Sequence, residues 1–144
     1  LDVAFANGIR LLGYDIANES VAPGGALHMT LYWQTDQAVT QPYKVFTHLL
    51  GEVYNAETDN FLWGQQDNEP VNGRRPTTGW RPGEVIIDAY AMPIAANAPA
   101  GVYTLEIGLY DPITGARLPV VDESGTAVAD HVVLETAVTV TPLE

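Results

Sequence analysis

Hydrophobic and polar positions alternate along this chain with a period of two. Tyr103, Leu105, Ile107 and Leu109 alternate with Thr104, Glu106 and Gly108, and the run closes on Asp111-Pro112-Ile113-Thr114-Gly115. Alternation sends successive side chains to opposite faces, so this is a half-buried strand of an antiparallel sheet. The turn residues preset a hairpin, with Asp111 capping it and Gly115 free to take positive φ.

The same grammar predicts the other elements. Ile9 to Ile16 is a strand, followed by a Pro23-Gly24-Gly25 turn. Leu27 to Gln34 is the next, with Leu27, Met29, Leu31 and Trp33 on one face and His28, Thr30, Tyr32 and Gln34 on the other. Tyr43 to Leu50 is apolar on both faces and therefore central. A turn at Ala56–Asn60 leads back through Phe61, Leu62 and Trp63. Val85 to Met92, Tyr103 to Tyr110, Ala116 to Val120 and Leu134 to Val140 complete the set. Gln65 to Gly79 is polar and rich in Asn, Gly, Pro and Arg, which predicts a long surface loop. No window sustains helical periodicity. Seven to eight short strands with regular turn signals predict an all-β, immunoglobulin-like antiparallel β-sandwich without a disulfide, one domain over residues 1–144. Trp33, on an apolar strand face, is expected in its core.

Composition narrows the partners. The 144 residues hold no cysteine, which removes disulfides, thiolate metal sites and cysteine nucleophiles. Six basic against eighteen acidic residues leave a formal charge of -12. That charge opposes binding to nucleic acid or to an anionic membrane surface. No apolar run reaches the roughly 18 residues needed to span a bilayer, and no signal-peptide pattern is present. The chain opens on Leu1-Asp2-Val3 without an initiator Met, the form expected of a domain from a longer protein.

Several segments together resemble a known group. They are Gly8 to Ile16, Leu31 to Gln34, Phe46 to Leu50, Gln65 to Asp67, Thr78 to Val85 and Gly108 to Gly115. The chain resembles uncharacterised bacterial β-sandwich domains at the ends of large surface or membrane proteins, notably glycosyltransferase-like ones of filamentous green bacteria. The resemblance implies an extracellular or cell-surface accessory role beside other domains of a parent protein. It implies no catalytic residue.

The chemistry-bearing residues agree with that. Ser20 and Ser124 are the two serines, and neither sits in a nucleophile elbow. His28, His48 and His131 stand alone on predicted strands. His48 is singled out because Phe46 and Leu50 flank it on one face. A glycoside hydrolase needs two facing carboxylates, and this compact chain offers no cleft-forming insertion. No catalytic residue and no cofactor are expected. A calcium site could draw on Asp59 and Asn60, or on Asp67, Asn68 and Glu69, but such runs in turns ordinarily cap the backbone.

Loop aromatics suggest binding instead. Sugar rings stack their C–H faces on exposed aromatics while polar side chains bond the hydroxyls. Tyr54, Trp63 and Trp80 form a candidate platform, with Gln66, Asp67 and Arg75 as polar contacts. The leading expectation is a non-catalytic carbohydrate-binding module, its partner a polysaccharide. The alternative is a structural spacer or protein-docking domain. Exposure of Trp63 or Trp80 would mark the first, and burial of all three tryptophans the second.

Overall fold

The alternating runs pair into two facing sheets, antiparallel except for one short parallel pair, Ser20–Val21 beside Val138–Val140. The computed structural model describes residues 1–142, so Leu143 and Glu144 of the expected domain lie outside the described residues. The strands are β1 (Val3–Ala4), β2 (Ile9–Ile16), β3 (Ser20–Val21), β4 (Ala26–Thr35), β5 (Lys44–Asn55) and β6 (Asn60–Gln65). They continue with β7 (Ile86–Pro93), β8 (Gly101–Tyr110), β9 (Val120–Val121), β10 (Ala127–Ala129), β11 (Val132–Val133) and β12 (Val138–Val140). One sheet has the order β1-β2-β4-β7, and the other β3-β12-β8-β5-β6 with β11 also on β8. β9 and β10 form a small hairpin of their own.

The core lies where the inward residues of both sheets meet. From β4 come Leu27, Met29, Leu31 and Trp33, and from β8 Tyr103, Leu105, Ile107 and Leu109, all buried as the alternation predicts. β7 adds Ile86, Tyr90 and Met92, with Asp88 as its polar member. Phe5 and Trp80 close on Trp33 from either side, with ring centroids 5.9 and 6.4 Å away. β5 lies between β8 and β6, the interior position that apolar residues on both faces predict.

Three boundaries differ from expectation for local reasons. β5 runs on to Asn55 because Gly51 lets the Tyr103 ring pass, where a Cβ would meet it at 2.7 Å. The strand expected over Ala116 to Val120 shrinks to Val120–Val121, since Pro119 has no N–H for a ladder. The expected Leu134 to Val140 strand shrinks to Val138–Val140, with the short β11 lying just before the expected range, and Thr136 bonds the Tyr14 hydroxyl between the two. Among the described residues twelve strands thus stand where seven or eight were expected, the surplus being pieces of two or three residues.

Gln65 to Gly79 departs most from a free surface loop. Val45 and Asn68 exchange both backbone hydrogen bonds, 2.9 and 3.1 Å. The hydroxyl of buried Thr77 donates to the Gln41 carbonyl at 2.8 Å and accepts from the Tyr43 N–H at 3.2 Å. The segment straps the open side of the sandwich, and positive φ at Val71, Asn72 and Gly73 turns it sharply.

Replacing Trp33 with alanine removes the largest fully buried side chain. The expected loss is about 3–5 kcal/mol, read from urea unfolding. Near-wild-type stability would place Trp33 outside the core.

Candidate functional site

The proposed platform residues come from three places: Tyr54 and Trp63 from the β5–β6 hairpin, Gln66, Asp67 and Arg75 from the strap, and Trp80 from the turn into β7. The structure separates them. Trp63 is 6% exposed and its Nε1–H donates to the Val53 carbonyl at 2.8 Å. Trp80 is 4% exposed and its Nε1–H donates to the Arg75 carbonyl at 2.8 Å. Neither indole offers a face to a sugar, which corrects the expected platform. The physical reason is area: an indole beside an open sheet edge gains more by closing that edge than by facing water.

The polar members serve the fold. Gln66 uses its Oε1 to accept the Ala91 N–H at 3.1 Å, capping a free position of β7, and its Nε2 donates to Asn68. Arg75 pairs with Glu84 at 2.6 Å. The Arg81 backbone N–H and that guanidinium hold the Glu84 carboxyl below the usual carboxylate range. Asp67 lies 3.6 Å from His48 Nε2. Of the six, Tyr54 alone remains an exposed aromatic; it meets the exposed ring of Phe61 edge-on at 5.8 Å, and its hydroxyl donates to Asp59.

A surface pocket of about 250 Å³ opens beneath that hairpin, lined by Asn55, Glu57, Leu62, Trp63, Pro93 and Ile94 among others. Among the described residues no group of three or more His, Asp or Glu side chains is arranged to hold a metal ion. Asp59 instead accepts the Tyr54 hydroxyl, and Asn60 caps the Phe61 N–H.

Two arrangements escaped the sequence reading. The first is buried. Asp88 Oδ2 accepts Trp33 Nε1–H at 3.1 Å and the Tyr90 hydroxyl at 2.7 Å, while Oδ1 accepts the Val71 N–H at 2.7 Å. Burial raises the Asp88 carboxyl above its ordinary value, partly offset by the three donors. An Asp inside an alternating apolar run, Ile86-Ile87-Asp88-Ala89-Tyr90, was the available signal.

The second lies on the outer face of the larger sheet. Phe46 lies flat over Gly108, where any Cβ would collide with its ring. The Arg117 guanidinium sits 4.3 Å above the same ring, a cation–π contact, and also reaches Asp130 at 3.3 Å. His131 joins Asp130 at 2.7 Å and faces Glu106 at 3.6 Å. The His131 hydrogen bond, then the Arg117 charge, keeps the Asp130 carboxyl below its ordinary range. His48 stacks beside Phe46 at 4.8 Å, so the histidine singled out from its apolar neighbours belongs to this surface cluster.

Comparison with known proteins adds little. No family model matches the chain, and no curated protein matches it. Among solved structures it is similar to a chain of the CaDoc0917–CaCohA2 complex, with 18% identity over 89% of this chain and 98% of that one, at a TM-score of 0.35.

Two outcomes follow from these contacts. A raised folded-state pKa means the folded protein holds the Asp88 proton more tightly than the unfolded chain. Its contribution is therefore complete below the unfolded value near 3.9 and is lost as pH rises through the folded value. Unfolding free energies should show wild type gaining on Asp88→Asn as pH is lowered from neutrality toward 4, and a pH-independent difference would contradict the burial. Gly108→Ala should destabilise by about 1–3 kcal/mol through overpacking, with Phe46→Ala in the same chain relieving the collision.

Proposed function

We propose that this domain is a non-catalytic accessory module of a longer exported protein, working through contacts with other proteins or neighbouring domains. The observation that carries the reading is the burial of all three tryptophans, each with its indole N–H bonded internally. A stacking module holds such rings out to its ligand, and here they seal the edges of the sandwich instead.

Two further features support it. The β5–β6 hairpin exposes Tyr54 and Phe61 in edge-to-face contact, an apolar pair of the kind that meets proteins. The carboxyl of Asp88 is fully buried and accepts from three donors of its own fold, which keeps it out of a substrate's reach. Export and attachment to a parent protein rest on the resemblance of the turn and core motifs.

Affinity electrophoresis through gels containing soluble plant and microbial polysaccharides tests the reading. The domain should migrate as in a gel without polysaccharide. Retardation by any one glycan, abolished in Tyr54→Ala, would overturn it.

A further inference from the structure

β7 is an edge strand whose outer side is capped by Gln66 at Ala91 and open over Ile87 and Ala89. Its inward residues Ile86, Asp88, Tyr90 and Met92 are buried, and Ile87, Ala89 and Ala91 face solvent. The Ala91 N–H points away from β4, since Gln66 accepts it. In an antiparallel ladder, alternate residues send their N–H and C=O groups to the same side. Those of Ile87 and Ala89 therefore also face the free edge. Among the described residues, no backbone or side-chain acceptor outside the sheet bonds either N–H.

Edge strands are normally blunted by shortness, bulges, outward charges or proline. The edge strands β1 and β3 are two residues long. Gly64 of β6 and Ile94, the residue after β7, bridge one another, which covers β6 at that end and confines the open part of β7 to its first half. β7 runs for eight residues, pairs with β4 without a bulge, carries no outward charge and meets no proline before Pro93. Ile87 is 63% exposed on it.

The two ends of this edge carry opposite charge. Exposed Arg74 and Arg81 precede its start, two of only six basic residues in the chain, and the third nearby, Arg75, is already paired with Glu84. At its finish, Pro93 lines the pocket whose rim bears Glu57. An antiparallel pairing of two copies about a twofold axis brings each basic start to the other's acidic finish. It also sets Ile87 against Ala89, the two positions whose N–H groups are unbonded, and leaves Ala91 to Gln66.

We propose that the β7 edge is a homodimerisation surface whose partner is β7 of a second copy of this chain, joining two four-stranded sheets into one of eight. The proposal deepens the protein-contact reading and rests on it. A monomeric chain would remove this partner while leaving the glycan experiment untouched.

Sedimentation equilibrium of the 144-residue chain from micromolar to millimolar concentration is the test. Wild type should approach twice its 15.5 kDa mass. Ala89→Lys should stay at the single mass and melt as wild type does, because the side chain points outward. Ala89→Pro should do the same, since that N–H is outside the β4 ladder. Arg81→Glu should weaken the dimer by about tenfold, the scale of two symmetric rim charge pairs, and adding Glu57→Arg should restore it. A single mass at every concentration, or a dimer indifferent to Ala89→Lys, would overturn the proposal.

Discussion

The carboxylate of Asp88 joins three parts of the molecule that have no covalent reason to meet. Trp33 reaches it from β4, Tyr90 from its own strand and the Val71 N–H from the strap across the open side. A carboxylate taken out of water is costly unless its lone pairs are filled, and here three donors fill them. Without it, a buried indole N–H and a buried hydroxyl would lose their partner, and a backbone turn held at positive φ would lose its anchor. The node is better understood as a device for one arrangement than as a large source of stability.

That arrangement decides what the surface can do. Once the strap is held at Val71, the chain beyond it brings Trp80 down beside Trp33 at 6.4 Å, and the Trp80 N–H then finds the Arg75 carbonyl. Trp63 closes the neighbouring corner through Val53. The indoles of Trp63 and Trp80 are thereby turned inward, and the edge of β7 is left open over Ile87 and Ala89. The same constraint that removes a sugar platform exposes a strand edge.

Much of the fold was legible in the sequence because a period of two is local information. The inward sets of β4 and β8 follow from it residue by residue, as does the interior place of β5. The site was not legible in the same way. Whether Trp63 and Trp80 face water depends on which distant segment covers them, and Val53 and Arg75 reveal that only after folding. Gln66, Asp67 and Arg75 looked like contacts for hydroxyls because polar side chains that bond a ligand and those that cap an edge have the same composition. Glycines were similarly mute: Gly108 reads as a weak strand position until Phe46 is seen lying across it.

Hydrogen exchange at the three tryptophan indole N–H groups, followed by NMR in D2O, tests the central claim most directly. Each donates to an internal acceptor and is screened from solvent. All three signals should persist long after exposed amides have exchanged, with Trp33 the slowest because it opens only when the sheets part. Immediate loss of the Trp63 or Trp80 signal would mean that an indole is free at the surface, and the case for a protein-contact module over a sugar-stacking one would fall with it.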